Sequence, residues 1–535
     1  MNTKRIIGAA MAFILCVCTC GMNTIGAAAA ENRQDTGESV QETAQDAARP
    51  DFTLRKRFMQ VSDGFYVIAS GTCESILLTN DYAARNPALD AALAGYNETL
   101  SRQADEQFSQ ISAASKKVWD TLAEKSYSFS SGELTYELDP VRSDGSFLSF
   151  FETCTAFSTN AEHAVVLLKG LNFDTASGKQ LALADIFADP RQLPAAIAAQ
   201  LKSADGKTEV PNAADLIAAH YEKDFEALAW AIDRGGVTFR FAPGELAGFE
   251  AGMLTSRISF TEYPKMFTGR FTAGTGAYVR PLNTFEPVQI DLDGDGIEET
   301  LSVKGDMQTA DANVYTGLTV SVGEKTCTVE DDFYSVTPML LHTDDGRSYI
   351  YAVTTSDNDY TSLIVVDLTG GTPKKAGILP GAGYTEIYCS VSDNSAENYI
   401  EIYPMLDPAH FALMSRMDLM STYSAMRYYS AGSDGMPVPL TDYYTVPNEI
   451  PLTCKHVLEC NVVDPDTNLL TGDTTTIMAG MTCWICRTNG VDTVDLRLPD
   501  GTIVRVEIGL SAGAWPQTVN GIILEEAFDG TLFGG

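Results

Sequence analysis

Basic residues, histidine and long apolar runs are all scarce in this chain of 535 residues, and each shortage excludes something. Lysine and arginine number 36 against 71 aspartates and glutamates, a formal net charge of −35. With no basic stripe to displace counterions, a nucleic-acid partner is excluded on electrostatic grounds. There are five histidines, and the nearest pair, His410 and His456, are 46 residues apart, so the short two-histidine motifs of zinc hydrolases are absent. Beyond the N-terminal region no stretch approaches the ~20 apolar residues of a membrane span. Four tryptophans present no visible sugar-stacking platform.

What is present begins with an address. Lys4 and Arg5 precede an apolar run from Ile6 to Val17, and Ala28, Ala29 and Ala30 supply the small residues of a cleavage site. The expectation is a signal peptide over 1–30, export, an extracellular or cell-surface location, and no membrane span after cleavage. A lipoprotein signal at Cys20 is the alternative, although Val17-Cys18-Thr19 lacks the usual small residue before that cysteine. Residues 31–50 are polar and read as a disordered tether.

The predicted fold class is an α+β N-terminal domain followed by all-β domains. Over 51–270, strand patterns flank a helical stretch opened by Asn86-Pro87. In it Leu89, Leu93, Tyr96, Leu100, Ala104, Phe108, Ile111, Val118 and Leu122 recur every three or four residues. One long helix on an antiparallel sheet follows, with further helices over Ala195–Leu201 and Ala213–Ile232. Residues 271–449 form short β runs between Asp/Gly/Asn turns, with Ala409–Tyr429 ambiguous. Residues 450–535 suit a small barrel, with Pro499-Asp500-Gly501 as a tight turn.

Eight cysteines follow the signal, divided two, two and four among these regions. An oxidising exterior favours bridges within domains, Cys73 with Cys154 for the first, against the alternative of buried thiols. Cys483-Trp-Ile-Cys486 lies in a β-rich context that does not suit redox catalysis. Zinc held by Cys454, His456, Cys460, Cys483 and Cys486 has irregular spacing. Gly509-Leu-Ser511-Ala-Gly513 matches a nucleophile elbow, but Pro516 blocks the helix such a motif needs and no histidine follows.

The strongest local signal is Asp291-Leu-Asp293-Gly-Asp295-Gly-Ile297-Glu298-Glu299. Carboxylates at Asp291, Asp293, Asp295 and Glu299 and the Ile297 carbonyl surround one point with hard oxygen ligands, which suits Ca²⁺. Position twelve is Ser302 rather than the glutamate of an EF-hand, and the flanks read as strands. The loop resembles the calcium loops of FG-GAP and related β-repeat proteins, where the ion is structural. The alternative is an acidic turn without metal.

Two stretches of the first domain carry a further resemblance. Asn172-Phe173-Asp174-Thr175, Ser177-Gly178-Lys179 and Asp185-Ile186-Phe187 form one, and Val237 to Gly252, leading into Arg257–Phe260, the other. Over 52–270 this is similar to the extracytoplasmic domain shared by the RsiV-type lysozyme-sensing anti-sigma factor and a bacterial peptidoglycan deacetylase. The resemblance implies a Gram-positive bacterial cell-surface setting and a binding role. The anti-sigma segment and the deacetylase's histidine pair are absent, and Gly244 stands where the family often has an aromatic. The last 85 residues resemble an SH3-like barrel. The leading expectation is a non-enzymatic protein that binds peptidoglycan or another glycan, or a cationic lysozyme-like protein. The alternatives are a glycan hydrolase using a carboxylate pair in the β-rich domain, and a calcium-stapled spacer.

Overall fold

The computed structural model describes residues 49–122, 129–203, 209–221, 225–268, 276–284, 287–293, 295, 297–307, 314–389, 399–510 and 515–534. The expected signal peptide lies outside the described residues, as do all but the last two positions of the tether. Of those two, Arg49 is already anchored, donating to the Leu406 carbonyl at 2.7 Å and pairing with Asp407 at 3.3 Å.

Strands β1 (Phe52–Asp63) and β2 (Tyr66–Leu78) form a hairpin turned at Gly64, which sits at φ +62°. The long helix follows as Pro87–Thr121, then β3 (Gly132–Ser143), β4 (Phe147–Phe157) and β5 (Val165–Asp174). The sheet is not wholly antiparallel as expected. β2 and β3 run parallel, and the long helix is the crossover that a parallel pair needs. Its buried stripe is Leu89, Leu93, Leu100, Ala104, Ile111, Ser115 and Trp119. The drift of a 3.6-residue turn brings Trp119 inward and leaves Leu122 exposed. The indole N–H donates to Asp63 at 2.8 Å.

A second sheet contains β6 (Lys202–Ser203), β7 (Ala229–Ile232), β8 (Gly236–Phe241) and β9 (Leu254–Ser259), ordered β6-β9-β8-β7. The predicted helix over Ala213–Ile232 stops at Tyr221, and Ala229–Ile232 is instead a strand buried on both faces. Four consecutive apolar residues carry no period, so periodicity alone cannot separate such a strand from a helix. The two sheets are tied by Asn172, whose amide donates to the Trp230 carbonyl at 2.9 Å and accepts from the Ile232 N–H at 2.9 Å.

Then comes an all-β region. β10 (Tyr278–Pro281) joins a five-stranded sheet, and β11 (Val288–Ile290) and β12 (Glu299–Met307) open a four-stranded one. The two share a core of residues such as Ile290, Leu301, Val320, Leu340, Ile350 and Ile364. Alternate residues of the five-stranded sheet, Leu341, Tyr349, Tyr351 and Leu363, point into another core with Phe411 and Leu413. Burial on both faces explains its long apolar runs. The ambiguous segment Ala409–Tyr429 falls on the paired strands Phe411–Met417 and Tyr423–Ala431.

Strands also link regions that are separate in sequence. Tyr399–Tyr403 pairs with β1, and Tyr444–Cys454 is one continuous strand. In the last region Tyr444–Cys454, Thr482–Thr488, Thr493–Arg497, Ile503–Leu510, Leu458–Val463 and Leu470–Ile477 pair successively, all antiparallel. Their core draws in Met417, Met420 and Tyr423 from the preceding hairpin.

Candidate functional site

The acidic loop connects β11 to β12, whose ends pair at Ile290 and Glu299. Asp291, Asp293 and Glu299 each offer a carboxylate oxygen, all within 4.8 Å of one another. Two oxygens on opposite sides of a Ca²⁺ ion, each about 2.4 Å from it, are separated by about that span, so these three fit one ion. The Asp295 carboxylate is not part of that group of side chains. The Asp295 carboxylate instead accepts the Ile297 N–H at 2.7 Å, and the Ile297 side chain is 68% exposed. Two further bonds brace the turn. Glu299 accepts the Leu292 N–H at 2.8 Å, and Asp293 accepts the Asp295 N–H at 3.2 Å. Gly294 and Gly296 lie outside the described residues.

Glu298 faces away from this group into a neighbouring cleft of about 440 Å³. That size is within the range of small-ligand sites. The cleft lies between the second sheet and the segment running from β10 to β11. Its cationic groups are Lys202 and the arginines 240, 257 and 280, and its acids are Asp139, Glu262 and Glu298. Hydroxyl and amide side chains, among them Thr238, Thr255, Asn283 and Gln289, fill the remaining polar positions.

Most of these charges are already spoken for. Arg257 grips Asp233 through two bonds of 2.7 and 2.9 Å and holds both Glu298 oxygens at 2.6 Å. Asp233 is buried, and also accepts from the Gly235 N–H and the Thr238 hydroxyl, each at 2.8 Å. Burial alone would raise its pKa, but the Arg257 guanidinium outweighs that and holds the carboxyl well below the usual range. Arg240 pairs with Asp139 at 3.0 Å and lies 4.2 Å over the Phe151 ring, while its Nε has no hydrogen-bond partner.

The two family-like stretches are held by local contacts. Lys179 pairs with Asp185 at 2.6 Å, and Asp185 closes the turn by accepting the Ala182 N–H. Gly244 sits at φ +86°, a conformation in which an aromatic replacement would be strained. Three histidines stack on aromatic rings, His163 on Phe249, His342 on Tyr278 and His410 on Tyr428. The His220 side chain and the elbow-like Ser511 lie outside the described residues.

The expected Cys73–Cys154 bridge is not formed. Both residues stand opposite Tyr136 on β3, one on each side, so a whole strand separates them. Two inter-strand spacings total about 9.6 Å, beyond the ~7 Å a bridge tolerates. Cys454, Cys460, Cys483 and Cys486 are buried thiols. Burial pushes Cys483 and Cys486 up to about 12, which leaves little of the thiolate that redox catalysis requires. The described residues gather no zinc-like cluster there.

No helix of the described residues is long and apolar enough to cross a membrane. No family model matches the chain, and no curated protein matches it. Among solved structures, it is similar to a DUF3298 family member from Bacteroides fragilis NCTC 9343, at 14% identity and a TM-score of 0.29, covering 41% of this chain and 95% of that one. It is also similar to a DUF3298 family protein from Pseudomonas aeruginosa PAO1, at 13% identity and a TM-score of 0.29, covering 43% of this chain and all of the other.

Proposed function

We propose that this is a secreted or cell-surface binding protein that takes a cell-envelope glycan into the cleft between the second sheet and the acidic loop. The observation that carries the reading is the polar character of that cleft. Hydroxyl, amide and guanidinium groups are the donors that saccharide hydroxyls and acetamido groups need. The carboxylates Asp139 and Glu298 are each engaged by an arginine, which leaves them tied into the cleft wall and speaks for binding over glycosidic catalysis. Ca²⁺ in the loop would be structural, with Asp291, Asp293 and Glu299 as its carboxylate ligands. It would fix the wall that carries Glu298.

The RsiV-like character of 52–270, a Gram-positive envelope setting and an SH3-like final barrel belong to the same proposal. The charge of −35 supports a second reading, capture of a cationic lysozyme-like protein, since it would accelerate that encounter. Co-sedimentation with purified insoluble peptidoglycan, beside a pull-down on immobilised lysozyme, separates the two. Retention on peptidoglycan at 0.15 M salt supports the first, and capture by lysozyme alone replaces it with the second. No retention above a denatured control on either removes both.

A further inference from the structure

Arg280 projects from β10 into the cleft, half-buried, and makes no hydrogen bond or ion pair with any described residue. Every other arginine of the cleft has its carboxylate, Arg240 with Asp139 and Arg257 with Asp233 and Glu298. In a chain with almost twice as many acids as bases, a guanidinium left without one in a cavity is a departure from the prevailing charge. Resting on the glycan reading above, we propose that Arg280 receives the carboxylate of an acidic sugar, with the neutral donors around it addressing the sugar's hydroxyls.

The chemistry of the position favours that ligand class. A guanidinium presents a planar fork that matches a carboxylate through two parallel bonds. Asp233, the acid whose charge acts on Arg280, is already engaged by Arg257, Gly235 and Thr238. Burial lowers the Arg280 pKa, as do the neighbouring Arg257 and Arg240, with Asp233 acting against them. An incoming carboxylate would relieve that strain on the charge. The unused Nε of Arg240 is a further donor on the same lining.

Matched sugar pairs test this in the full mature chain with 1 mM Ca²⁺. N-acetylmuramic acid differs from N-acetylglucosamine by a lactyl carboxylate, and glucuronate differs from glucose by oxidation at one carbon. Calorimetric titration should show each acid binding about tenfold or more tightly than its neutral partner, the scale of one charge-assisted contact. The affinity of the acids alone should fall with added salt. Arg280→Gln should erase the preference and Arg280→Lys should keep part of it, with the wild-type salt dependence standing as evidence if either variant folds poorly. Equal binding of acid and neutral sugars, or an intact preference in folded Arg280→Gln, overturns the proposal while leaving the glycan reading in place. So does peptidoglycan retention without binding of either acid. Inorganic phosphate binding as tightly as the acids, with the same loss in Arg280→Gln, makes this a general anion site and overturns the saccharide assignment. Failure of both peptidoglycan retention and sugar binding ends both readings.

Discussion

Arg257 and Glu298 meet across the junction between the second sheet and the β11–β12 loop, with Nη1 2.6 Å from both carboxylate oxygens. Because the same guanidinium also holds buried Asp233, one side chain fastens the acidic loop to the interior of the neighbouring sheet. The loop and the cleft are therefore one mechanical unit. A change in the loop's order would be felt at the cleft wall.

Removing that guanidinium leaves the buried Asp233 carboxyl without its counter-charge. Arg257→Met should therefore destabilise the fold by about 3–5 kcal/mol, measured by urea denaturation at pH 7.

The acid limb of stability should report the same pair. The folded pKa of Asp233 lies below its unfolded value of about 3.9, burial being outweighed by Arg257. Its contribution is thus complete above about pH 4 and is lost as pH falls toward the folded pKa. In Asp233→Asn the unfolding free energy should lie lower at pH 7 and change less steeply between pH 4 and 2.5. Parallel wild-type and variant slopes would show that Asp233 is not held ionised.

Ca²⁺ should raise the melting temperature, by the equivalent of about 2.7 kcal/mol when its concentration is a hundred times the Kd. Asp293→Asn should abolish the response. Asp295→Asn should keep most of it, because that carboxylate serves the Ile297 N–H and an asparagine oxygen can do the same. Thermal melts in calcium and in chelator compare the three proteins, and loss of the response in both variants would return Asp295 to the ligand set.

How much of this was legible in the sequence depended on whether a signal is local. The long helix was readable from its apolar spacing, and the β11–β12 loop from its acids, because both patterns are written within a few turns of chain. The strand Ala229–Ile232 was not, since a short run buried on both faces has no period. The cleft was invisible for a different reason. Arg240, Arg257 and Arg280 come from three separate strands, and only sheet topology brings them onto one lining. The only available hint was an arginine in each of three otherwise apolar or neutral strands of an acidic protein. Glu298 was read as part of the acidic run, whereas its partner lies 41 residues away.

The cysteines make a prediction independent of any ligand. Cys73, Cys154, Cys460 and Cys483 are buried thiols within two β cores, and Cys486 is buried as well. Burial pushes Cys73 up to about 12 and Cys460 up to about 11. In the native protein these five thiols should resist iodoacetamide at pH 8, and denaturation without reductant should make Cys73 and Cys154 both alkylatable by intact-mass and peptide analysis. Recovery of a Cys73–Cys154 cross-linked peptide would contradict the strand order.

Two glycines near the long helix should respond to alanine with opposite signs. On β3, a methyl group at Gly132 would meet Ile111 Cγ2 at 2.6 Å and the Ser115 hydroxyl even closer. Ser115 is buried and receives a hydrogen bond from Thr159 at 2.7 Å, so it has little freedom to retreat. Gly132→Ala should therefore cost about 1–3 kcal/mol by overpacking. Gly95 lies on the exposed face of the helix, where an added methyl meets nothing within 4 Å. Gly95→Ala should stabilise by about 0.5–1 kcal/mol through helix propensity alone. Urea melts of the two variants decide the matter. A neutral Gly132→Ala would mean that the crossover helix does not lie so close to β3, and the packing of the whole first sheet would need revision.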